Sequence, residues 1–391
     1  MKQSPVITVD TIQGFQCIMG ACEDNCCRNT TWNIIVDPAS YKKYQEMDND
    51  LGRHILSCIE TAGDNIHRFK QFEHGHCPLL TDDGLCYIHK NLGAEYLCTT
   101  CTTYPRLWDY FNGKLEHGLS LSCPEVVRWV LYRKKRINFV GVTANAEPPS
   151  PNPGDEDTNK VRTFLFEIMD YRKFSVKDKL LFMGLFMRSL SKSGDIDKVV
   201  STYRSSIRTK GLLDSIKSDL SKMEAETRQE FFQNVAVMAT AVIAPPKKIP
   251  EGVDNAKYYE LIGEFHKDVE NETSKNYLSD TFDRLMVPYV NANANVFNNY
   301  LMYVVFTSNF LKAEGDYAKA YAGFAGEFVT MLTFATGLFN KYETIGHEEM
   351  VAAIYLYHRK VSHSNKIREI LSDTFTDNIL SLVLGVLGGI N

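Results

Sequence analysis

Residues 15–34 read FQCIMGACEDNCCRNTTWNI, and Cys17, Cys22, Cys26 and Cys27 place four thiols within eleven positions of this stretch. Short spacers let neighbouring thiolates converge on one centre, because little chain must be ordered to bring them together. The 391-residue chain has ten cysteines; the others are Cys58, Cys77, Cys86, Cys98, Cys101 and Cys123, and none follows Cys123. Cysteines serving only as small core residues would be spread along the chain. Disulfides suit small, secreted, core-poor domains. This chain is large, and its start, MKQSPVITVD, shows no basic patch followed by an apolar run, so no export signal is expected. The placement therefore predicts metal ligation in the first third of the chain.

More distant thiols are expected to close the site: Cys77, Cys86, Cys101 and Cys123. Cys77 precedes Pro78 and Cys123 precedes Pro124. A proline there lacks a backbone N–H and fixes the turn, which suits a rigid ligand loop. Soft thiolates select zinc or iron–sulfur over hard cations. Zinc typically takes two CxxC-like pairs, or one pair with histidines. Only Cys98-x2-Cys101 has that spacing, and the nearby His74, His76 and His89 are each expected to be ordinary surface histidines. The excess of cysteine over histidine favours an iron–sulfur cluster, with zinc as the alternative metal. Cys58 falls in the apolar helical pattern Leu51, Ile55, Cys58, Ile59 and is expected in the core.

The rest of the sequence sets the frame. A hydrophobic fraction of 44% and a charged fraction of 23% are those of an ordinary globular protein. A net charge of −5 gives no electrostatic reason for a nucleic-acid or anionic-membrane partner. The apolar run from Val296 to Leu311 is broken by Asn298, Asn299, Thr307, Ser308 and Asn309, and the run from Ile379 to Ile390 is short of the ~20 residues a bilayer needs. Both read as buried helices, and a cytoplasmic location is expected. The fold class is mainly α: a cysteine-rich metal-binding domain with few short strands over residues 1–144, a proline- and acid-rich linker over 145–158, and a helical domain over 159–391. Val161, Phe164, Leu165 and Ile168 form an apolar helical stripe. Ser175 with Asp178 predicts a capping box for the next helix. Further helices are expected around Tyr300–Leu311, Tyr317–Phe339 and Glu348–Tyr357, and a short strand around Trp32–Val36.

The quoted stretch, together with CPLLTDDGLCYIHKNLGAEYLCTTCTTYPR (77–106) and LEHGLSLSCPEVVR (115–128), resembles the flagellin lysine N-methylase family, whose members carry a CxxCxxCC-type cysteine box. The resemblance is carried by Phe15 ahead of the first cysteine, the Cys26-Cys27 pair and Trp32. It continues through Cys77-Pro78-Leu79, Leu85-Cys86, Cys101-x2-Tyr104-Pro105-Arg106 and Ser122-Cys123-Pro124-Glu125, and weakly at Tyr171-Arg172. It implies an S-adenosylmethionine-dependent enzyme that methylates flagellin lysines and holds a [4Fe-4S] cluster. By position it implies Cys17, Cys22, Cys26, Cys27, Cys77, Cys86, Cys101 and Cys123 as candidate ligands, with Cys58 and Cys98 outside the pattern. One [4Fe-4S] cluster takes four thiolates, so eight candidates imply either more than one metal or some structural thiols. Arg106 is the candidate partner for the carboxylate of S-adenosylmethionine.

Known cofactor signatures do not add to this. Cys22-x3-Cys26 begins the radical CxxxCxxC spacing, but Asn29 stands at its third position. A Rossmann-type glycine turn is absent; Gly385, Gly388 and Gly389 have no helix to open. Tyr104, Glu116 and Glu125 are candidates to assist amine deprotonation, with packing or surface roles the commoner expectation. A non-catalytic metal-binding or electron-transfer protein sharing the cysteine box is the alternative.

Overall fold

The computed structural model describes residues 3–28, 33–63, 65–70, 76–145, 155–209, 211–220, 225–245, 249, 254–271, 277–308, 310–313, 316–362 and 364–390. The class is mainly α, with the strands among the described residues confined to the N-terminal part. Strands β1 (Gln3–Val9), β5 (Arg106–Phe111), β6 (Lys114–Leu119) and β7 (Phe139–Asn145) form one sheet in the order β5-β6-β1-β7. β5 and β6 are antiparallel and joined at Asn112-Gly113, whose φ values of 48° and 69° are what a two-residue hairpin turn requires. β2 (Ile35–Val36), β3 (Ile59–Ala62) and β4 (Ile66–Phe69) make a second sheet in the order β2-β4-β3. β2 is the expected strand in shortened form; Trp32 and His74 lie outside the described residues.

Around the small sheet lie α1 (Pro38–Gln45), α2 (Asp50–Ser57), α3 (Tyr87–Leu92) and α4 (Thr99–Thr103). Asp37 caps α1 by accepting from Ser40 N at 3.0 Å, and Asn49 caps α2 through Gly52 N at 2.9 Å. These elements enclose a core of Ile34, Val36, Tyr44, Ile55, Phe69, Leu79 and Ile88 together with Cys58, Cys77 and Cys98. Cys58 ends α2 and is buried, as its apolar helical pattern predicts. The larger sheet does not belong to this core. Val9, Ile12, Phe15, Leu119 and Leu121 join a second core with α5 (Pro124–Val126) and the helices beyond residue 155. Apolar packing thus crosses the 145–158 segment. Residues 155–158 of that segment already form the first turn of α6 (Asp155–Asp170), and 146–154 lie outside the described residues.

The helical part continues through α7 (Val176–Ser193), α8 (Ile196–Ser206), α9 (Gly211–Leu220), α10 (Ala225–Val242), α11 (Ala256–Glu270), α12 (Leu278–Thr281), α13 (Val287–Ala292), α14 (Ala294–Thr307), α15 (Phe310–Ala313), α16 (Tyr317–Leu338), α17 (His347–Val361), α18 (Asn365–Phe375) and α19 (Ile379–Val386). The predicted capping box is present: Ser175 Oγ accepts from Asp178 N at 3.1 Å, and Asp178 Oδ2 accepts from Ser175 N at 3.3 Å. α16 is the central helix, buried on every face from Ala320 to Leu338, with Glu327 the one charged residue of that stretch. Its glycines let neighbours approach: a Cβ at Gly337 would stand 2.1 Å from Phe265 Cε2. A buried bidentate pair, Arg162 to Glu116 at 2.8 and 2.9 Å, fastens α6 to β6. Among the described residues no helix is long and apolar enough to cross a membrane.

Candidate metal centre

The candidate thiols are gathered from four short segments. The 15–28 loop carries two 3-10 turns, Met19–Ala21 and Cys26–Arg28. Cys77 N donates to Cys27 O at 2.7 Å, which docks the second segment on the first. A bridge between Leu80 and Cys86, and Tyr87 N donating to Leu79 O at 2.7 Å, fold Cys86 back beside Cys77. Cys98 caps α4, and Cys101 lies one turn on, its thiol hydrogen-bonded to that of Cys98. Cys27, Cys86 and Cys101 all pack against the core that contains Cys58, Cys77 and Cys98. Cys123 caps α5 and packs against the helical core. All ten cysteines are free thiols.

Burial and contact between thiols set the electrostatics of several of them. Burial raises Cys22, and pushes Cys77 and Cys123 up to about 12. Cys26 is raised by its hydrogen bond with Cys27 and then by desolvation. The Cys98–Cys101 contact favours the thiolate on Cys98 and the thiol on Cys101. Cys26 acts electrostatically on Cys77, Cys86, Cys101 and Cys123 alike, which puts it at the middle of the set.

Among the described residues no three His, Cys, Asp or Glu side chains stand closely enough together to hold a single metal ion. Four thiolates around one zinc at about 2.3 Å would lie only ~3.8 Å apart. The donor set, soft sulfur throughout, is of the kind that suits zinc or an iron–sulfur cluster. Binding must expel the thiol protons, so metal loading is coupled to pH and to folding.

One arginine fastens the cysteine loop to the helical domain. Asp24, between Cys22 and Cys26, is fully buried, and its Oδ2 accepts from Tyr259 at 2.8 Å, Tyr355 at 2.9 Å and Arg359 Nη1 at 2.7 Å. Arg359 Nη2 donates to Asp24 O at 2.8 Å and Nε to Ser122 O at 3.3 Å, beside Cys123. Burial alone would lower this guanidinium, but the charge of Asp24 and the surrounding tyrosines hold it firmly protonated. Asp24 Oδ1 is buried without a hydrogen-bond partner among the described residues. A second clasp, Arg128, pairs with Glu23, Glu348 and Glu125.

Of the other sequence candidates, Tyr104 is half-buried, its hydroxyl 3.2 Å from Ser122 Oγ and its phenol raised by desolvation. Glu116 is the partner of Arg162, a structural role. Arg106 stands exposed at the start of the edge strand β5. The sequence did not single out Asp24, Arg359, Tyr259, Tyr355 or Arg128. Only Asp24 carried a signal, its place inside the cysteine box; Arg359 lies more than 330 residues away on a helix with no motif of its own.

Comparison with known proteins fits this architecture. The family model described as the FliB lysine N-methylase C-terminal domain matches residues 162–384, the stretch that contains Tyr259, Tyr355 and Arg359. The chain is 33% identical over 142 residues to the flagellar biosynthetic protein FliU of Salmonella muenchen, covering 34% of this chain and 79% of that protein. It is 21% identical over 401 aligned positions to the lysine-N-methylase of Salmonella typhimurium, covering 94% of both. It is also 32% identical over 142 residues to the lysine-N-methylase of Salmonella choleraesuis, covering 34% of this chain and 33% of that one. No solved structure matches. A family match over more than half of its length places the chain in the FliB lysine N-methylase family, as a lysine N-methyltransferase.

Proposed function

We propose that this enzyme transfers methyl groups from S-adenosylmethionine to lysine ε-amino groups of flagellin, and that its cysteine-rich lobe holds a [4Fe-4S] cluster. The observation that carries the reading is the joint one: a lysine N-methylase family match over the helical domain, and a flagellar biosynthetic protein among the relatives. The thiol set around Cys26 supports the cluster, with Cys17, Cys22, Cys26, Cys27, Cys77, Cys86, Cys101 and Cys123 as the residues to hold it. When bound, such a cluster supplies a redox centre.

The chain's own residues do the positioning. Arg359 and its two tyrosines lock Asp24, and so fix the Cys22–Cys26 loop against the helical domain. Tyr104, Tyr259 and Tyr355 stay neutral because burial raises their phenols, so they serve as hydrogen-bond partners and not as bases. A lysine nitrogen must lose its proton before it can accept a methyl group, and a desolvated site favours that neutral amine.

The test is mass spectrometry of flagellin from the same organism after incubation with anaerobically purified enzyme and S-adenosylmethionine. Mass increments of one methylene on lysine are expected. None from metal-replete enzyme removes flagellin as the substrate; none from cognate flagellin, other cellular protein or lysine peptides removes the methyl-donor reading.

A further inference from the structure

Between the Arg128 clasp and β7 the chain reads LYRKKRIN (131–138), and no acid stands between Glu125 and Glu147. Neutral side chains hold the backbone of this loop. Asn299, buried on α14, donates from Nδ2 to Leu131 O at 3.1 Å and to Lys135 O at 3.4 Å, and its Oδ1 accepts from Ile137 N at 3.1 Å. Asn295 Nδ2 donates to Arg133 O at 3.0 Å. An ionised carboxylate in these places could not donate to a carbonyl, and its charge would cancel one of the cations beside it. Asparagine fixes the loop and leaves its charge intact. Arg133 is tied to Asp10 and Arg136 to Asp170. Lys134 and Lys135 are exposed and form no ion pair with a described residue.

Arg136 brings a second basic turn alongside the first. Its Nη1 donates to Asp170 O at 2.9 Å, at the end of α6, and Arg172 and Lys173 follow in the turn to α7. Tyr171 and Phe174, their rings 4.8 Å apart, pack on the helical core at either side of that turn. The two cations between them are exposed, again without an ion pair to a described residue. Beneath lies Lys179, fully buried, where the charge of Arg136 adds to burial in lowering the ammonium. The chain's net charge of −5 does not cancel this patch locally, because exposed charges beyond a Debye length of ~8 Å are largely screened.

We propose that Lys134, Lys135, Arg136, Arg172 and Lys173 dock an acidic face of the protein whose lysines this enzyme methylates. The methyl acceptor is a lysine, itself cationic until it loses its proton, and this patch repels it. The reacting amine therefore enters elsewhere, and the patch grips aspartates and glutamates of the same protein at a distance from the target. Exposed charges held in place in this way act on encounter rate and orientation more than on final affinity. The patch thus selects lysines by the acidic surface that accompanies them. The proposal rests on the lysine N-methyltransferase assignment alone, and needs neither a metal nor one particular substrate.

The full-length protein is titrated into a fluorescein-labelled decaglutamate peptide at low and at physiological ionic strength, with anisotropy as the readout. A labelled single-stranded decanucleotide is titrated in parallel. Two double variants remove the patch from either side: Lys134→Glu with Lys135→Glu, and Arg172→Glu with Lys173→Glu. Lys42→Glu with Arg53→Glu makes the same change of charge at exposed sites on α1 and α2 and is the control. Circular dichroism checks folding, and the second patch variant serves if the first does not fold. The wild type is expected to bind the peptide, more tightly at low salt. Each patch variant should weaken that binding by about tenfold, and the control by no more than about twofold. In methyl transfer to the organism's flagellin, or to its total protein extract if flagellin accepts none, the patch variants should slow the reaction at limiting acceptor and leave the rate at saturating acceptor unchanged. A wild type that does not bind decaglutamate overturns the proposal, as do patch variants that bind or methylate like the control. Equal slowing at saturating acceptor also overturns it, because the loss is then not one of docking. A decanucleotide held more tightly than the peptide assigns the patch to nucleic acid and overturns the protein partner. None of these results touches the methyltransferase assignment.

Discussion

Replacing Arg359 with methionine should destabilise the protein by about 3–5 kcal/mol, the cost of removing one partner of a buried ion pair and leaving the other charge alone. Arg359 is 3% exposed and Asp24 0%. The change deletes the donors to Asp24 Oδ2, Asp24 O, Ser122 O and the Tyr259 hydroxyl. Methionine fills much of the volume, so the loss is electrostatic and not a cavity. Asp24 would keep its two tyrosine donors, which places the expectation inside that range and not above it. The assay is urea denaturation followed by far-ultraviolet circular dichroism. Combining Asp24→Asn with Arg359→Met should recover part of the loss, because no charge is then buried unpaired. Arg204→Met is the control: its pair with Glu167 is 52% and 42% exposed, and it should cost no more than about 1 kcal/mol. A change below about 1 kcal/mol in Arg359→Met, or a double variant no more stable than the single one, would refute the claim that this pair joins the cysteine loop to the helices.

Three further outcomes follow from the packing. Gly337→Ala should lower the melting temperature by the equivalent of about 1–3 kcal/mol, since the new Cβ meets the buried Phe265 ring at 2.1 Å. Ser175→Ala should cost about 1 kcal/mol in urea titration, through loss of the capping box that opens α7. Lys179 has no exposed surface, and burial lowers its ammonium to about 7. Between pH ~7 and ~10.4 the unfolded chain binds a proton that the native chain does not, so this residue makes stability rise with pH in that window. Below pH ~7 both states are protonated and its full cost applies; Lys179→Met should raise stability at neutral pH and flatten the curve, as urea midpoints across that range will show.

The sequence by itself determined the local facts. Confinement of ten thiols to the first 123 residues pointed to a metal-binding lobe, because thiolate chemistry is written in residue type and spacing. The capping box at Ser175, the helix from Tyr317 and the core place of Cys58 were legible because capping and apolar periodicity act within a few residues. Tertiary structure alone decided what depends on distant pairing. It put the four-stranded sheet on the helical core, since β1 finds its partners β6 and β7 more than a hundred residues later. It joined Asp24 to Arg359, and it set Cys123 against the helical core while Cys58, Cys77 and Cys98 entered the core around the small sheet. No local pattern encodes these choices, because a buried charge needs only one partner of opposite sign, and any segment the fold brings alongside can supply it.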